Sequence, residues 1–409
     1  MSKGLLAVAA VVTALVASPV LPRAADPLPR AASPEDVGLS SERLDRLARV
    51  TDGHVESGLL PGAVILIARH GKIAYFKTFG YRDRGARAAM PADAIFRLAS
   101  LTKPIVSVAA MMLHEEGKFQ IYDPLSQYLP EFATPTVGID RVAAIRGITI
   151  QDLLRHTSGL TDGNGDTPVD RLYGDADVRN RDHTNAGLVT KLAKLPLLHQ
   201  PGTRWHYGLS TDVLGRLVEV VSGKGLGAFL ADRIFRPLGM DDTAFSLPAA
   251  KVARAAQPWQ RPGGPPMTPR FDVAVAPRLE SGGGGLVSTA TDYLRFSQML
   301  LNGGEFNGVR LLGRKTIDFM TADHLGVIPG QQAGMGWGLG FQVRRDAGIA
   351  GLPGSVGEYG WAGNTGTIFW VDPKEQLVAI YMIQVNAEDR IYLRNQFRSL
   401  VSQALIGRP

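Results

Sequence analysis

Apolar positions recur three and four apart in "SSERLDRLARVTDGHVESG" (40–58), where Leu44, Leu47 and Val50 share one face. Ser40 or Ser41 stands where a helix cap belongs, so the spacing predicts a capped helix. The pattern then becomes that of strands. "GAVILIARHGKIAYFKTFGYRD" (62–83) predicts a hairpin of two apolar strands around His70-Gly71. "PIVSVAAMMLHEE" (104–116) is apolar on nearly every side, the mark of a helix buried all round, and Gly117 supplies its C-terminal stop.

From about 150 to 280 helical stretches such as "ITIQDLLRHT" and "STDVLGRLVEVVSG" alternate with polar loops. "PWQRPGGPPMTPR" (258–270) holds five prolines and reads as a surface crossing. The glycine run 282–285 marks a close backbone approach or a boundary, and "STATDYLRFSQMLLNGG" reads as a capped amphipathic helix. "GTIFWVDPKEQLVAIYMIQV" (366–385) is strand–turn–strand with "DPKE" as the turn, and a last helix falls near 389–406. Strands thus come from both ends and helices from the middle. The expected fold is α/β (α+β): an antiparallel sheet flanked by terminal helices, with an inserted, mostly helical subdomain. The expected division is a leader over 1–25 and one domain over 35–409, made of an α/β part (35–149 and 281–409) and a helical part (150–280).

Composition narrows the function. The net charge of +6 is scattered among acids without a basic block, so nucleic acid is not an expected partner. The chain has no cysteine, which excludes disulfides, thiol catalysis and cysteine-ligated metal. Lys3 followed by the apolar run Leu5 to Ala17 reads as a bacterial export signal, so the expected location is periplasmic or secreted, with no stable span after cleavage; the alternative is an uncleaved anchor, since the sequence marks no clear cleavage site. The run is short for a membrane span.

The chemistry centres on "FRLASLTKPI" (96–105), where Ser100 and Lys103 stand three apart at the mouth of the buried helix. That spacing puts both side chains on one face, about 5–6 Å apart at Cβ. A helix N-terminus favours negative charge, which suits an attacking serine and opposes an ammonium. A neutral amine in that position can take a proton from a serine hydroxyl. Pro104 sits in the first turn, where proline is tolerated best. The ordinary alternative is a serine cap beside a solvated lysine.

Several ordered stretches carry a resemblance: "FRLASLTKPI", "ITIQDLLRHTSGL", "QPGTRWHYGLSTDVLG", "RPLGMDDTAF", "SGGGGLVSTATDYLRF" and "EYGWAGNTGTIFWVDP". Together they resemble the serine β-lactamase and penicillin-binding superfamily, whose signature includes S-x-x-K, and within it the class C-like family VIII carboxylesterases. The family's Tyr-x-Asn motif is here Tyr207-Gly208-Leu209, which keeps the tyrosine and lacks the asparagine. Its Lys-Thr-Gly or His-x-Gly motif is here Trp361-Ala362-Gly363, the esterase-like form.

The resemblance implies that Ser100 attacks an acyl carbon and that Lys103 and Tyr207 accept its proton, either group being the base. A phenol titrates near about 10 and needs a cationic neighbour to act as phenolate near neutrality. The resemblance further implies an oxyanion held by the backbone N–H groups of Ser100 and Asn364, and a pocket wall formed by Trp361, Ala362, Gly363 and Leu209. Gly363 would let the strand edge come close to the substrate. No metal or organic cofactor is implied, and the substrate would be a small ester or acyl compound. Loss of the asparagine and an indole in place of a cation favour short, uncharged acyl esters over β-lactams, although an arginine such as Arg204 could pair with a carboxylate. Acyl transfer, D-Ala-D-Ala carboxypeptidase or β-lactamase activity, and a non-catalytic penicillin sensor or scaffold are the alternatives.

Other motifs are weaker. There is no G-x-S-x-G and no H-E-x-x-H. His156 in "LLRHTSGL" reads as structural, its ring donating to a loop carbonyl; His206 could line the pocket; and Trp337 reads as core or pocket wall.

Overall fold

In the computed structural model, residues 28–407 are described apart from 262, 265–268 and 270. The leader expected over 1–25 lies outside the described residues. One large sheet dominates. Its strands are β1 (Gly62–Arg69), β2 (Lys72–Asp83), β3 (Ala88–Ala89), β4 (Met335–Trp337), β5 (Gln342–Arg344), β6 (Tyr359–Ala362), β7 (Gly366–Asp372) and β8 (Leu377–Gln384). They lie in the order β4-β5-β6-β7-β8-β1-β2-β3, with every neighbouring pair antiparallel. The first strand therefore pairs with the last, Leu66 opposite Ile380, and closes the two ends of the chain onto each other.

The helices that frame the site are α1 (Ser41–Glu56), α2 (Thr102–Glu115), α3 (Ser210–Ser222), α4 (Ala290–Leu301) and α5 (Ala387–Ser402). All eight residues of β1 are buried, because both of its faces are covered. On one face Ile65 and Ile67 pack with Leu44 and Leu47 of α1 and Leu393 and Phe397 of α5. On the other, Val64 and Leu66 join α2, α3 and α4 in the larger core. The alternation of side chains along a strand divides one apolar run between two cores.

The capped helix starts at Ser40, whose side chain accepts from the Arg43 N–H at 3.3 Å. Val50 is only half-buried there; Ala48 and Thr51 complete the buried stripe. His70 and Gly71 both have positive φ, 51° and 70°, the backbone that a tight two-residue hairpin needs. In α2 every residue from Thr102 to Leu113 is buried, and Gly117 follows it at φ 72°. Among the described residues, 150–280 contribute helices and no strand to the large sheet. The class is a mixed α/β fold with an antiparallel sheet flanked by helices.

Candidate active site

A local backbone turn sets Ser100. Phe96–Arg97 pairs antiparallel with Val287–Ser288, and the Leu98 N–H donates to the Leu286 carbonyl at 2.9 Å. Ala99 then adopts φ 48°, a left-handed conformation that costs a residue with a Cβ about 1–2 kcal/mol. This bend ends the strand and starts the single turn Ala99–Leu101 that runs into α2. Two hydrogen bonds pin it: the Leu286 N–H donates to the Thr102 hydroxyl at 3.1 Å, and the Tyr293 hydroxyl donates to the Leu101 carbonyl at 2.8 Å. Ser100 is left half-buried on a cavity wall at the mouth of a helix that is otherwise closed.

Lys103 is buried, with its Nζ 2.6 Å from the Gly283 carbonyl and 3.4 Å from the Ser100 hydroxyl. The same nitrogen lies 4.6 Å from the centre of the Tyr207 ring. On its far side the Tyr207 hydroxyl accepts the Trp361 indole N–H at 3.1 Å. The Lys103 nitrogen and an indole donor thus face one phenol, and both contacts favour negative charge that develops on it.

Gly283 reaches Lys103 because Asp212 holds its loop. The Asp212 carboxylate accepts from the Ser281 hydroxyl at 2.5 Å and from the Gly283 N–H at 3.1 Å. A Cβ at Gly283 would collide with that carboxylate, so a side chain there would push Asp212 out of its hold on the loop. Asp212 lies in the first turn of α3, where the N-terminal dipole favours an acid.

The third strand of the site is the end of β6. Gly363 packs against the backbone just before Ser100: a Cβ there would meet the Leu98 carbonyl and the Thr367 hydroxyl. The close approach at Gly363 is therefore to the chain carrying Ser100. The Gly363 N–H donates to the Thr367 carbonyl at 2.8 Å. The backbone N–H groups of Ser100 and Asn364 have no acceptor among the described residues, and both residues line the cavity. Arg394 of α5 donates to the carbonyls of Gly363 and of Gly366, the latter at 3.0 Å. Arg390 donates to the Asn364 carbonyl at 3.0 Å. Burial and the neighbouring Arg390 push the Arg394 guanidinium down to about 9.

A cavity of about 820 Å³ collects these groups: Ser100, Lys103, Tyr207, Leu209 and the run Trp361, Ala362, Gly363 and Asn364 all line it. The cavity thus brings together the residues expected as nucleophile, base, oxyanion donors and third-motif wall.

Residues 47–400 match the family model described as Beta-lactamase. The chain belongs to this family. It is a serine hydrolase of the β-lactamase and transpeptidase superfamily. It is 33% identical over 352 residues to the Esterase EstB of Burkholderia gladioli, covering 80% of this chain and 86% of that protein. It is 29% identical over 366 residues to the Lovastatin esterase of Penicillium rubens, covering 81% of this chain and 90% of that protein. Among solved structures, "EstCE1, a hydrolase with promiscuous acyltransferase activity" superposes with a TM-score of 0.75 at 28% identity, over 89% of this chain and 98% of that one.

Some neighbours in this β-lactamase-family site differ from the sequence reading. Among the described residues the His156 ring donates to no loop carbonyl, and its Nδ1 has no hydrogen-bond partner. The ring instead stacks behind Tyr207, centroids 4.7 Å apart, and meets Trp337 edge-on at 5.3 Å. Burial, then the charges of Lys103 and His206, hold it well below the ordinary imidazole range, so it is a neutral aromatic support at neutral pH. His206 packs against His199 and does not line the cavity. Trp337 is fully buried, its N–H donating to the Leu154 carbonyl at 3.2 Å while its ring backs Trp361 at 4.5 Å. Arg204 is exposed and off the cavity wall. The arginines near the third motif are Arg390 and Arg394. Nothing in the helical pattern of α5 sets them apart from its other charged residues. The glycine run did signal a close approach, but not that Gly283 would meet Lys103 and Asp212.

Proposed function

We propose that this enzyme hydrolyses carboxylic esters through an acyl-enzyme on Ser100. The Ser100 proton passes to the Lys103–Tyr207 pair as Oγ attacks the acyl carbon, and the carbonyl oxygen becomes an oxyanion. The tetrahedral intermediate collapses, the C–O bond to the alcohol breaks, and the alkoxide takes the proton back from the pair. Water then repeats the sequence on the acyl-enzyme and releases the acid. The observation that carries this reading is the placement of one amine nitrogen, the Lys103 Nζ, against both the Ser100 hydroxyl and the Tyr207 ring. The unclaimed N–H groups of Ser100 and Asn364 on the same wall support an oxyanion site. Both named esterase relatives are consistent with it.

The substrate class follows from the wall. Trp361 and Leu209 present apolar surface, and the indole N–H is engaged by Tyr207. Arg390 and Arg394 direct donors to backbone carbonyls. Both arginines line the cavity beside the third motif, but a substrate carboxylate would have to compete with the backbone carbonyls they already hold, and a buried carboxylate left without a partner is costly. Short, uncharged acyl esters fit this wall better than β-lactams. The test compares kcat/KM for p-nitrophenyl butyrate, nitrocefin and a D-Ala-D-Ala peptide on one preparation. The ester is expected to give the highest value by at least about tenfold, a difference of only about 1.4 kcal/mol in transition-state binding. A higher value for nitrocefin would overturn the substrate class.

Export is part of the same proposal. Lys3 and the apolar run that follows it support a cleaved signal within 1–25. Among the described residues no helix is long and apolar enough to cross a membrane.

A further inference from the structure

Arg394 is an unusual residue to find behind this strand end. It is half-buried and makes no ion pair among the described residues. Arg390, one helical turn earlier, has no acidic partner there either, so the two guanidiniums repel each other across α5. A bare cation pair in a partly desolvated place costs stability. The turn from Gly363 to Gly366 does not need a cation to close, because the Gly366 N–H already donates to the Gly363 carbonyl at 3.0 Å.

Peptide geometry shows what the cation adds. No peptide bond in the described chain is cis. In a trans peptide the C=O and N–H point to opposite sides of one plane. The carbonyl of Gly363 and the N–H of Asn364 belong to the same plane. Arg394 holds that carbonyl, and its Nε holds the Gly366 carbonyl 3.0 Å away, so one rigid fork fixes both ends of the turn. With the carbonyl turned toward α5, the Asn364 N–H faces away from α5. A positive charge at the carbonyl also polarises the peptide and strengthens its N–H as a donor.

We propose that Arg394 is a positioning residue for the oxyanion-binding N–H of Asn364, so that it governs binding of the tetrahedral intermediate rather than of the substrate. This rests on the acyl-enzyme reading above. Arg394 touches no reacting atom; it acts through the plane of one peptide. Lysine at 394 keeps the charge but lacks the fork, and glutamine keeps a donor without the charge.

The experiment uses the full chain and the variants Arg394→Gln and Arg394→Lys. It measures kcat and KM for p-nitrophenyl butyrate, the Ki of phenylboronic acid, thermal unfolding, and phosphonate labelling of Ser100 by peptide mass spectrometry. The boronate adduct on serine is tetrahedral and anionic, so it reports the oxyanion site. Arg394→Gln is expected to lower kcat by about 10–100-fold, the scale of a misaimed donor. KM should stay within about threefold, because an interaction made only in the transition state leaves substrate binding alone. The boronate Ki should weaken in step with kcat, and Arg394→Lys should fall between wild type and Arg394→Gln. If the glutamine variant does not fold, the lysine variant carries the test. A folded variant with wild-type kcat and boronate Ki overturns the positioning role, as does a variant whose KM alone rises. A wild-type enzyme that takes no label on Ser100 overturns the acyl-enzyme reading itself, which separates the two failures.

Discussion

At Trp361 one indole does two things. Its face lines the cavity, and its N–H ends on the Tyr207 hydroxyl at 3.1 Å. Trp361→Phe keeps most of the apolar face and removes the donor. A hydrogen bond to an oxygen that gains charge during proton transfer contributes about 1.5–3 kcal/mol. The expected outcome is a fall in kcat of about 10–100-fold with KM changed by less than about threefold. Steady-state kinetics with p-nitrophenyl butyrate check it; a rise in KM at constant kcat would mean the indole only binds the acyl chain. At this scale the sequence was legible where a residue's type is dictated by chemistry. Ser100, Lys103 and Tyr207 stand in short motifs and reach one cavity wall. The partner of the Trp361 N–H was not legible, since the sequence cannot say whether a donor faces substrate or a neighbouring side chain. The support behind Tyr207 was half legible: His156 is structural, but through ring stacking rather than a hydrogen bond.

Among the elements, the segment Ile150–Leu154 shows how a short helix is fixed next to the site. Thr149 caps it, its hydroxyl accepting from the Asp152 N–H at 3.2 Å, and the fully buried Asp152 carboxylate accepts from Arg146 at 2.6 Å, Arg155 at 3.2 Å and the Thr157 hydroxyl at 2.7 Å. Burial opposes the charge, but Arg146, the Thr149 N–H and the Thr157 hydroxyl outweigh it and hold the carboxyl below its usual range. His156 follows at once, so this network also fixes the ring behind Tyr207. Asp152→Ala leaves two arginines facing an empty acceptor and should cost about 3–5 kcal/mol, the scale of breaking a buried ion pair. The sign of the pH dependence follows from the lowered folded pKa. The stabilisation is present above the unfolded carboxylate range and is lost as pH falls through the folded value, from about pH 4 downward. Urea unfolding at pH 7 and pH 3 checks this: the gap between wild type and variant should narrow at pH 3, and a gap that widens there would contradict it. Long, strongly patterned elements were readable in advance, α2 by its apolar surface on every side and the β1–β2 hairpin by its turn. The strands β3 to β6 were not, because runs of two to four residues carry no readable period.

For the whole molecule, closure of the chain brings the site together. β1 pairs with β8, α1 and α5 share one face of the sheet, and that face delivers Arg390 and Arg394 to the end of β6. The other face delivers Ser100 from the turn before α2, Lys103 from the first turn of α2, and Tyr207 from the segment that leads into α3. An antiparallel sheet built from both ends of the sequence was legible because its longest strands, β1, β2, β7 and β8, are the strongly apolar ones. How α5 docks was not legible, since a helix with charges all round gives no single face. The central claim is that Ser100 carries the acyl group. The most direct measurement is intact-protein and peptide mass spectrometry of enzyme quenched in acid during turnover of p-nitrophenyl butyrate. A butyryl adduct is expected on the peptide containing Ser100, formed with a burst of p-nitrophenol and absent from Ser100→Ala, whose kcat falls by several orders of magnitude. An adduct on another residue, or near-normal turnover by Ser100→Ala, would contradict it.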